Sequence, residues 1–231
     1  MLFLGRLLLF SSLPLLIAAD QAEESCEASS TSSLDLVQVL ETLGAPKECK
    51  AKDKECRNST SVAPQLEASF KQFNIGCRQE AACLVGLAML ESVNFTFMRN
   101  QSPGRPGQGT VNMQQCGFNL KWAKDLKKGS FSDVTSLECA DKTCKDADKC
   151  NDVLNAVLET DQGNFFSLAW FYATQCDKTD IKTKLRDNVS SCADYVTECV
   201  GTNGTDPERV KRNGQAFEAF GVSDATECIP L

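Results

Sequence analysis

Two blocks of this chain carry residue types that could do chemistry together. The first is Cys83-Leu84-Val85-Gly86-Leu87-Ala88-Met89-Leu90, a run without a charge that ends in Glu91 and Ser92. The second, further along, is Gly107-Gln108-Gly109-Thr110-Val111-Asn112-Met113-Gln114. A helix that is apolar on every side is a buried helix. A glutamate at its C-terminal end sits where the core opens to the surface. Partial burial and the negative end of the helix dipole both disfavour the charged form of a carboxylate there. A carboxyl group kept protonated is what a glycosidase uses to protonate a glycosidic oxygen. Glu91 is therefore the candidate catalytic acid.

The chain contains no histidine. That excludes Ser-His-Asp, Cys-His and HExxH chemistry and argues against a zinc site. Acid–base work, if there is any, falls to carboxylates, tyrosine or lysine, and no cofactor or metal is called for. A second acid would have to lie about 6.5–9.5 Å from Glu91 in an inverting enzyme, or about 5–5.5 Å in a retaining one. Asp133, after the Trp122 block, is the candidate; an N-cap or surface role is the competing reading. The loop from Gly104 to Gly109 has neither a Gly-Lys-Ser/Thr ending nor a preceding strand, so it is not a phosphate cradle.

Three blocks in order carry a family likeness. They are Leu84 to Leu90 with Glu91-Ser92, then Gly107 to Gln114, then Ala169-Trp170-Phe171-Tyr172-Ala173-Thr174. In this order the chain resembles the lysozyme-like superfamily, in its lytic transglycosylase and goose-type lysozyme branch. There, an apolar helix ending in Glu-Ser precedes a Gly-containing loop ending in Met-Gln, and an aromatic helix follows. The stretch from Asn112 to Trp122 is also similar to secreted fungal lysozyme-like proteins. The likeness spans residues 62–200. It implies a lysozyme-like fold, Glu91 as the acid, and Ser92, Met113, Gln114 and Tyr172 as substrate-positioning groups. It also implies that a single glutamate can suffice, the substrate's own N-acetyl group replacing the second acid. Each residue has an ordinary alternative: a helix-end serine, a core methionine, a loop glutamine, a tyrosine in an apolar helix. Trp122 could stack on a sugar ring or pack in a core, whereas Trp170 reads as core. The chain departs from the branch in two extra residues before Met113-Gln114, in lacking Asn-Ala-Gly after Tyr172, and in its many cysteines.

The elements that must position these residues follow from periodicity. Residues 1–19 read as a secretory signal, with Arg6 before the apolar run Leu7 to Ile17 and small residues Ala18-Ala19 at the cleavage region. Residues 20–33 are polar and read as a disordered lead-in. Residues 34–231 read as a single disulfide-stabilised helical domain. Helices are expected over Leu34–Leu43, Val62–Phe73, Arg78–Ser92, Phe118–Leu126, Asp146–Glu159, Asn164–Cys176, Thr179–Val200 and Asp206–Phe220. Lys47–Ser61 is expected to be a stapled loop, and Ser130 to Asp133 offers an N-cap. No period-2 strand run stands out, so the fold class is all-α: a buried central helix wrapped by amphipathic ones.

Thirteen cysteines follow the signal and read as a disulfide framework. The odd one is either buried and inert or pairs between chains as a disulfide-linked dimer. Cys83, inside the apolar helix, is the weakest candidate for a bridge. Sequons at Asn58, Asn94, Asn100, Asn188 and Asn203 mark candidate glycosylation sites on surface loops. The net charge of −7 becomes −8 once Arg6 is lost. That argues against nucleic acid and anionic membranes, and for neutral or cationic glycans over anionic peptidoglycan.

The expectation is a secreted glycoside hydrolase or lytic enzyme acting on β-1,4-linked amino-sugar polymers of the chitin or chitosan type. The alternative, favoured by the cysteines, the sequons and the missing second acid, is a non-catalytic secreted glycan-binding or host-interaction protein on the same scaffold. A purely structural cysteine-rich surface protein is the third reading.

Overall fold

Apolar residues at three- and four-residue spacing fold as helices throughout the computed structural model, which describes residues 34–231. The expected signal, the lead-in and Cys26 lie outside the described residues. Nine α-helices are present among the described residues: α1 Leu36–Thr42, α2 Ser59–Gln72, α3 Arg78–Glu91, α4 Cys116–Asp125, α5 Ala147–Val157, α6 Asp161–Thr174, α7 Thr179–Asp187, α8 Ser191–Tyr195 and α9 Pro207–Ala219. No strand forms among them, only isolated antiparallel bridges, two of which join Gly109 to Arg99 and to Gln114. The all-α, disulfide-rich reading holds.

Two helices are buried almost all round. In α3 every side chain from Gln79 to Met89 is buried, and in α6 every one from Gly163 to Tyr172. α6 separates two cores by its own periodicity. Phe165, Leu168, Ala169 and Tyr172 face the larger core, with α1, α2 and α3. Phe166, Trp170 and Phe171 face the smaller one, formed with Trp122 of α4 and Val153 and Val157 of α5. The i, i+3, i+4, i+7 spacing of the first set is one helical stripe; the second set is the opposite stripe.

The expected helix over Thr179–Val200 is broken. α7 ends at Asp187, α8 begins at Ser191, and α8 runs on into a π turn over Val196–Val200 that ends at Gly201 in a left-handed conformation. Helix α2 starts earlier than expected because Asn58 caps it, accepting from the Ser61 N–H at 3.0 Å. The segment after α4 that carries Ser130 to Asp133 caps no helix.

Six disulfides pair all twelve described cysteines: Cys49–Cys56, Cys77–Cys228, Cys83–Cys192, Cys116–Cys150, Cys139–Cys144 and Cys176–Cys199. Cys83 therefore corrects the sequence expectation. Its place inside the apolar helix puts it directly against α8, and the bridge pins the central helix to the surface layer. The Cys77 bridge ties the start of α3 to the C-terminal segment, where Arg78 N–H donates to Ile229 O at 2.8 Å. No described helix is long and apolar enough to cross a membrane.

α3 and α9 pack in antiparallel fashion at Gly86. A methyl group there would lie 2.8 Å from Asn213 Oδ1 and 3.3 Å from Ala216 Cβ. On the other side of α9, the same methyl on Gly214 would meet nothing within 4 Å. Gly86→Ala should thus lower unfolding free energy by about 1–3 kcal/mol through overpacking. Gly214→Ala should raise it by about 0.5–1 kcal/mol by removing glycine's flexibility from a helix. Guanidinium unfolding of the two variants checks the opposite signs.

Candidate functional site

Glu91 is the last residue of α3, and the chain leaves it through a tight turn. Val93, Asn94 and Phe95 all have left-handed φ, at 52°, 55° and 64°. For a β-branched residue such as Val93 this is an uncommon and costly conformation. Ser92 holds it. Its hydroxyl donates to Ala88 O at 2.7 Å and accepts from the Phe95 N–H at 2.8 Å. Its carbonyl accepts from Thr96 and Phe97. The turn throws Phe97 and Arg99 back beside Glu91.

These residues line a cleft of about 520 Å³ with Met113, Asp206 and Arg209. The cleft is polar, with Asn100, Gln101, Thr202 and Asn203 also on its wall. Arg209 reaches across from α9, and its Nη2 donates to Glu91 Oε1 at 2.7 Å. The two side chains keep 18 % and 23 % exposure. Asp206 sets this up, its Oδ1 accepting from the Glu208 and Arg209 N–H groups to cap α9. Nη1 of Arg209 is buried with no hydrogen-bond partner. On the opposite wall Arg99 is paired with Glu55, Nε to Oε1 at 3.2 Å.

The sequence places Glu91 as a carboxyl kept protonated by apolar surroundings. The structure sets the Arg209 guanidinium directly against it, in the geometry of an ion pair. Arg209 lies 118 residues away in sequence, and nothing short-range announces the pairing. Asp206-Pro207-Glu208 announces the helix start but not what that start faces.

Of the residues grouped with Glu91 by sequence, Met113 does line the cleft. Ser92 is fully buried and serves the turn, so it cannot touch a ligand. Gln114 is buried and donates from Nε2 to Asn119 Oδ1 at 2.7 Å; Asn119 in turn donates to Gly107 O at 2.8 Å. These amides hold the 107–114 loop in shape. Tyr172 lies deep in the core, its hydroxyl donating to Glu80 Oε1 at 3.0 Å. Trp122 is buried, donates from Nε1 to Gly163 O at 2.8 Å and stacks on Trp170 with ring centres 5.2 Å apart, so neither tryptophan is free to stack on a sugar. Asp133 is exposed on the irregular segment after α4, outside the cleft. The residues missed by sequence are Phe97, Arg99, Asp206 and Arg209. Phe97 is the aromatic ring that the cleft offers.

Among the sequon asparagines, Asn58 caps α2, Asn94 is tucked into the turn after α3, and Asn188 and Asn203 are exposed. Asn100 and Asn203 both line the cleft.

No family model matches this chain, and no solved structure does. The chain is similar to part of a bifunctional dioxygenase–epoxy alcohol synthase of Fusarium oxysporum, 37 % identical over 168 residues. The match takes in 71 % of this chain but 12 % of that protein, so the chain spans a small segment of its relative.

The cleft yields two expectations. In a double-mutant cycle of Arg209→Met and Glu91→Gln, the coupling energy should come out near 1 kcal/mol, read from unfolding curves. The chain has two tyrosines. Burial, and for Tyr172 the neighbouring Glu80, push both phenols well above their ordinary range. Their folded-state protonation is thus favoured, so the stability they contribute is complete below about pH 10 and is lost as pH rises beyond it. Tyrosinate absorbance should stay flat past pH 10 while the protein is folded and appear only as it unfolds; titration of the native protein at pH 10 would contradict the buried placement.

Proposed function

We propose that this chain is a secreted, non-catalytic glycan-binding protein on a lysozyme-like scaffold, and that its cleft over Glu91 seats β-1,4-linked amino-sugar chains. The observation that carries the reading is the Glu91–Arg209 ion pair on the wall of a polar cleft. A general acid must hold a proton to give away; a carboxylate that already accepts from a guanidinium is a hydrogen-bond acceptor fixed in place. Fixed acceptors and donors with one aromatic ring are what a sugar chain needs for recognition, its hydroxyls and amides bonding to the polar wall and an apolar face resting on Phe97. The order of helix, Met-Gln loop and aromatic helix supports the scaffold, as does the shared cleft of Glu91 and Met113. The acidic balance of the chain and of the cleft, where Asp206 and Glu208 join Glu91 against two arginines, favours neutral chitin-type or cationic chitosan-type chains over anionic peptidoglycan. Six disulfides fit an oxidising compartment, and the segment shared with a fungal protein fits a fungal origin. The dioxygenase and epoxy alcohol synthase activities named for that relative are not carried over, because the shared segment is 12 % of it.

One observation favours hydrolysis as a second reading: Asp206 shares the cleft with Glu91 and would be the second carboxylate in place of Asp133. Calorimetry with chito-oligosaccharides and mass spectrometry of the same mixtures separate the two. Binding without new reducing ends is expected, weakened about tenfold in Phe97→Ala. Cleavage by the native chain that disappears in Glu91→Gln would establish the enzyme instead, and a folded protein carrying no N-glycan that neither binds nor cleaves would end both readings.

A further inference from the structure

The wall of the cleft carries two sequon asparagines, Asn100, whose Oδ1 accepts from the Gly104 and Arg105 N–H groups, and Asn203, which is held differently from Asn94 next to Glu91. Asn203 is exposed, and its Oδ1 accepts from both the N–H and the hydroxyl of Thr205, at 3.1 and 2.9 Å. Its Nδ2 donates no hydrogen bond to the fold among the described residues and lies on the rim of the cavity. Asn94 is the reverse case. Its Oδ1 is buried and unpartnered, and its Nδ2 would stand 3.5 Å from a methyl on Gly44. A sugar on Asn203 starts at the mouth of the cleft.

Resting on the binding reading above, we propose that Asn203 is N-glycosylated and that the first two sugars of its glycan occupy the cleft in cis. The modification joins Nδ2 of Asn203 to the anomeric carbon of N-acetylglucosamine. The bond from that carbon to the pyrophosphate oxygen of a lipid-linked oligosaccharide donor breaks, the lipid pyrophosphate leaves with the electron pair, and one amide proton is released. The two innermost sugars so attached are themselves a β-1,4-linked amino-sugar pair, the chemistry proposed for the ligand. A ligand tethered at the rim acts at an effective concentration in the millimolar range. It therefore outcompetes dilute free chains of modest affinity. The cleft is closed to free glycan while its own is seated, and opens when that glycan is trimmed or absent.

The test uses the full chain secreted from a eukaryotic host. Glycopeptide mass spectrometry reads occupancy at each sequon. An endoglycosidase that cuts between the two core sugars is then applied to the native and to the denatured protein. A seated core is expected to be cut at least tenfold more slowly at Asn203 in the native protein, with no such difference at exposed Asn188. Thr205→Ala, which removes the sequon and keeps Asn203, should bind chitotriose at least tenfold more tightly than the glycosylated form. An unmodified Asn203, or equal cutting in the native and denatured states, overturns the inference. If Thr205→Ala and the enzymatically deglycosylated chain are folded and bind no chitotriose, the binding reading itself fails, and the endoglycosidase result shows separately whether the glycan was seated.

Discussion

At Gly86 the backbone of α3 comes so close to α9 that a single added methyl would press on Asn213 and Ala216. That approach sets the geometry of the cleft. Helix α9 contributes Arg209, Asn213, Ala216 and Phe217 along one stripe, which its C-cap Phe220 continues, and of these all but Arg209 are buried. With Asn213 and Ala216 seated against Gly86, the antiparallel run carries Arg209 to the other end of α3, where Glu91 is. The ion pair is thus a consequence of helix packing rather than of a local motif. Its worth is modest, because both partners keep some exposure and water screens them. Its effect on chemistry is larger, since it decides what Glu91 presents to anything entering the cleft.

The turn that follows α3 is the second constraint. Three consecutive left-handed residues without a glycine are held by the hydroxyl and carbonyl of Ser92, together with a hydrogen bond from Asn94 N–H to Met89 O at 2.7 Å. Strain of this kind persists only where surrounding structure over-determines it. Here the return is positional: the chain reverses within a few residues and places Phe97 and Arg99 beside the carboxylate it has just left. Ser92 is therefore adjacent to Glu91 for a structural reason, and a Glu-Ser pair at a helix end is explained without the serine touching a ligand.

How much of this the sequence disclosed depends on the range of the interactions. The all-round apolarity of Cys83 to Leu90 and of Phe165 to Tyr172 is local, so both buried helices were legible, as was the position of Glu91 at the end of one of them. The break at Asn188–Ser190 was not, because residues 179–200 keep a helical apolar spacing through Ile181, Leu185, Cys192 and Val196, whereas the chain turns extended at Asn188 and Cys192 is bridged to Cys83 of α3. The sequence left Trp122 and Tyr172 open between a ligand and a packing role for the same reason. Their polar atoms have partners, Gly163 O and Glu80, on elements that periodicity cannot bring together. Arg209 was invisible because an arginine on an amphipathic helix reads as a solvated face until the opposing helix is known.

The polar residues of the 107–114 loop are spent on holding its shape. Gln114, Asn119 and the carbonyl of Gly107 close one amide chain, while Asn112 accepts from Thr110 and from Ser167 of α6 at 2.7 and 3.0 Å. Buried amides of this kind must be satisfied, and satisfying them fixes the loop's shape. That shape places Met113 on the cleft wall and turns Gln114 away from it. The chemistry of the cleft has to be read from what stands in it: an aromatic ring, amides, and carboxylates of which the central one is already engaged by a guanidinium. The carboxylate at the centre of that wall is held in place from α9, so what the cleft presents there follows from the single contact that α9 makes with the end of α3.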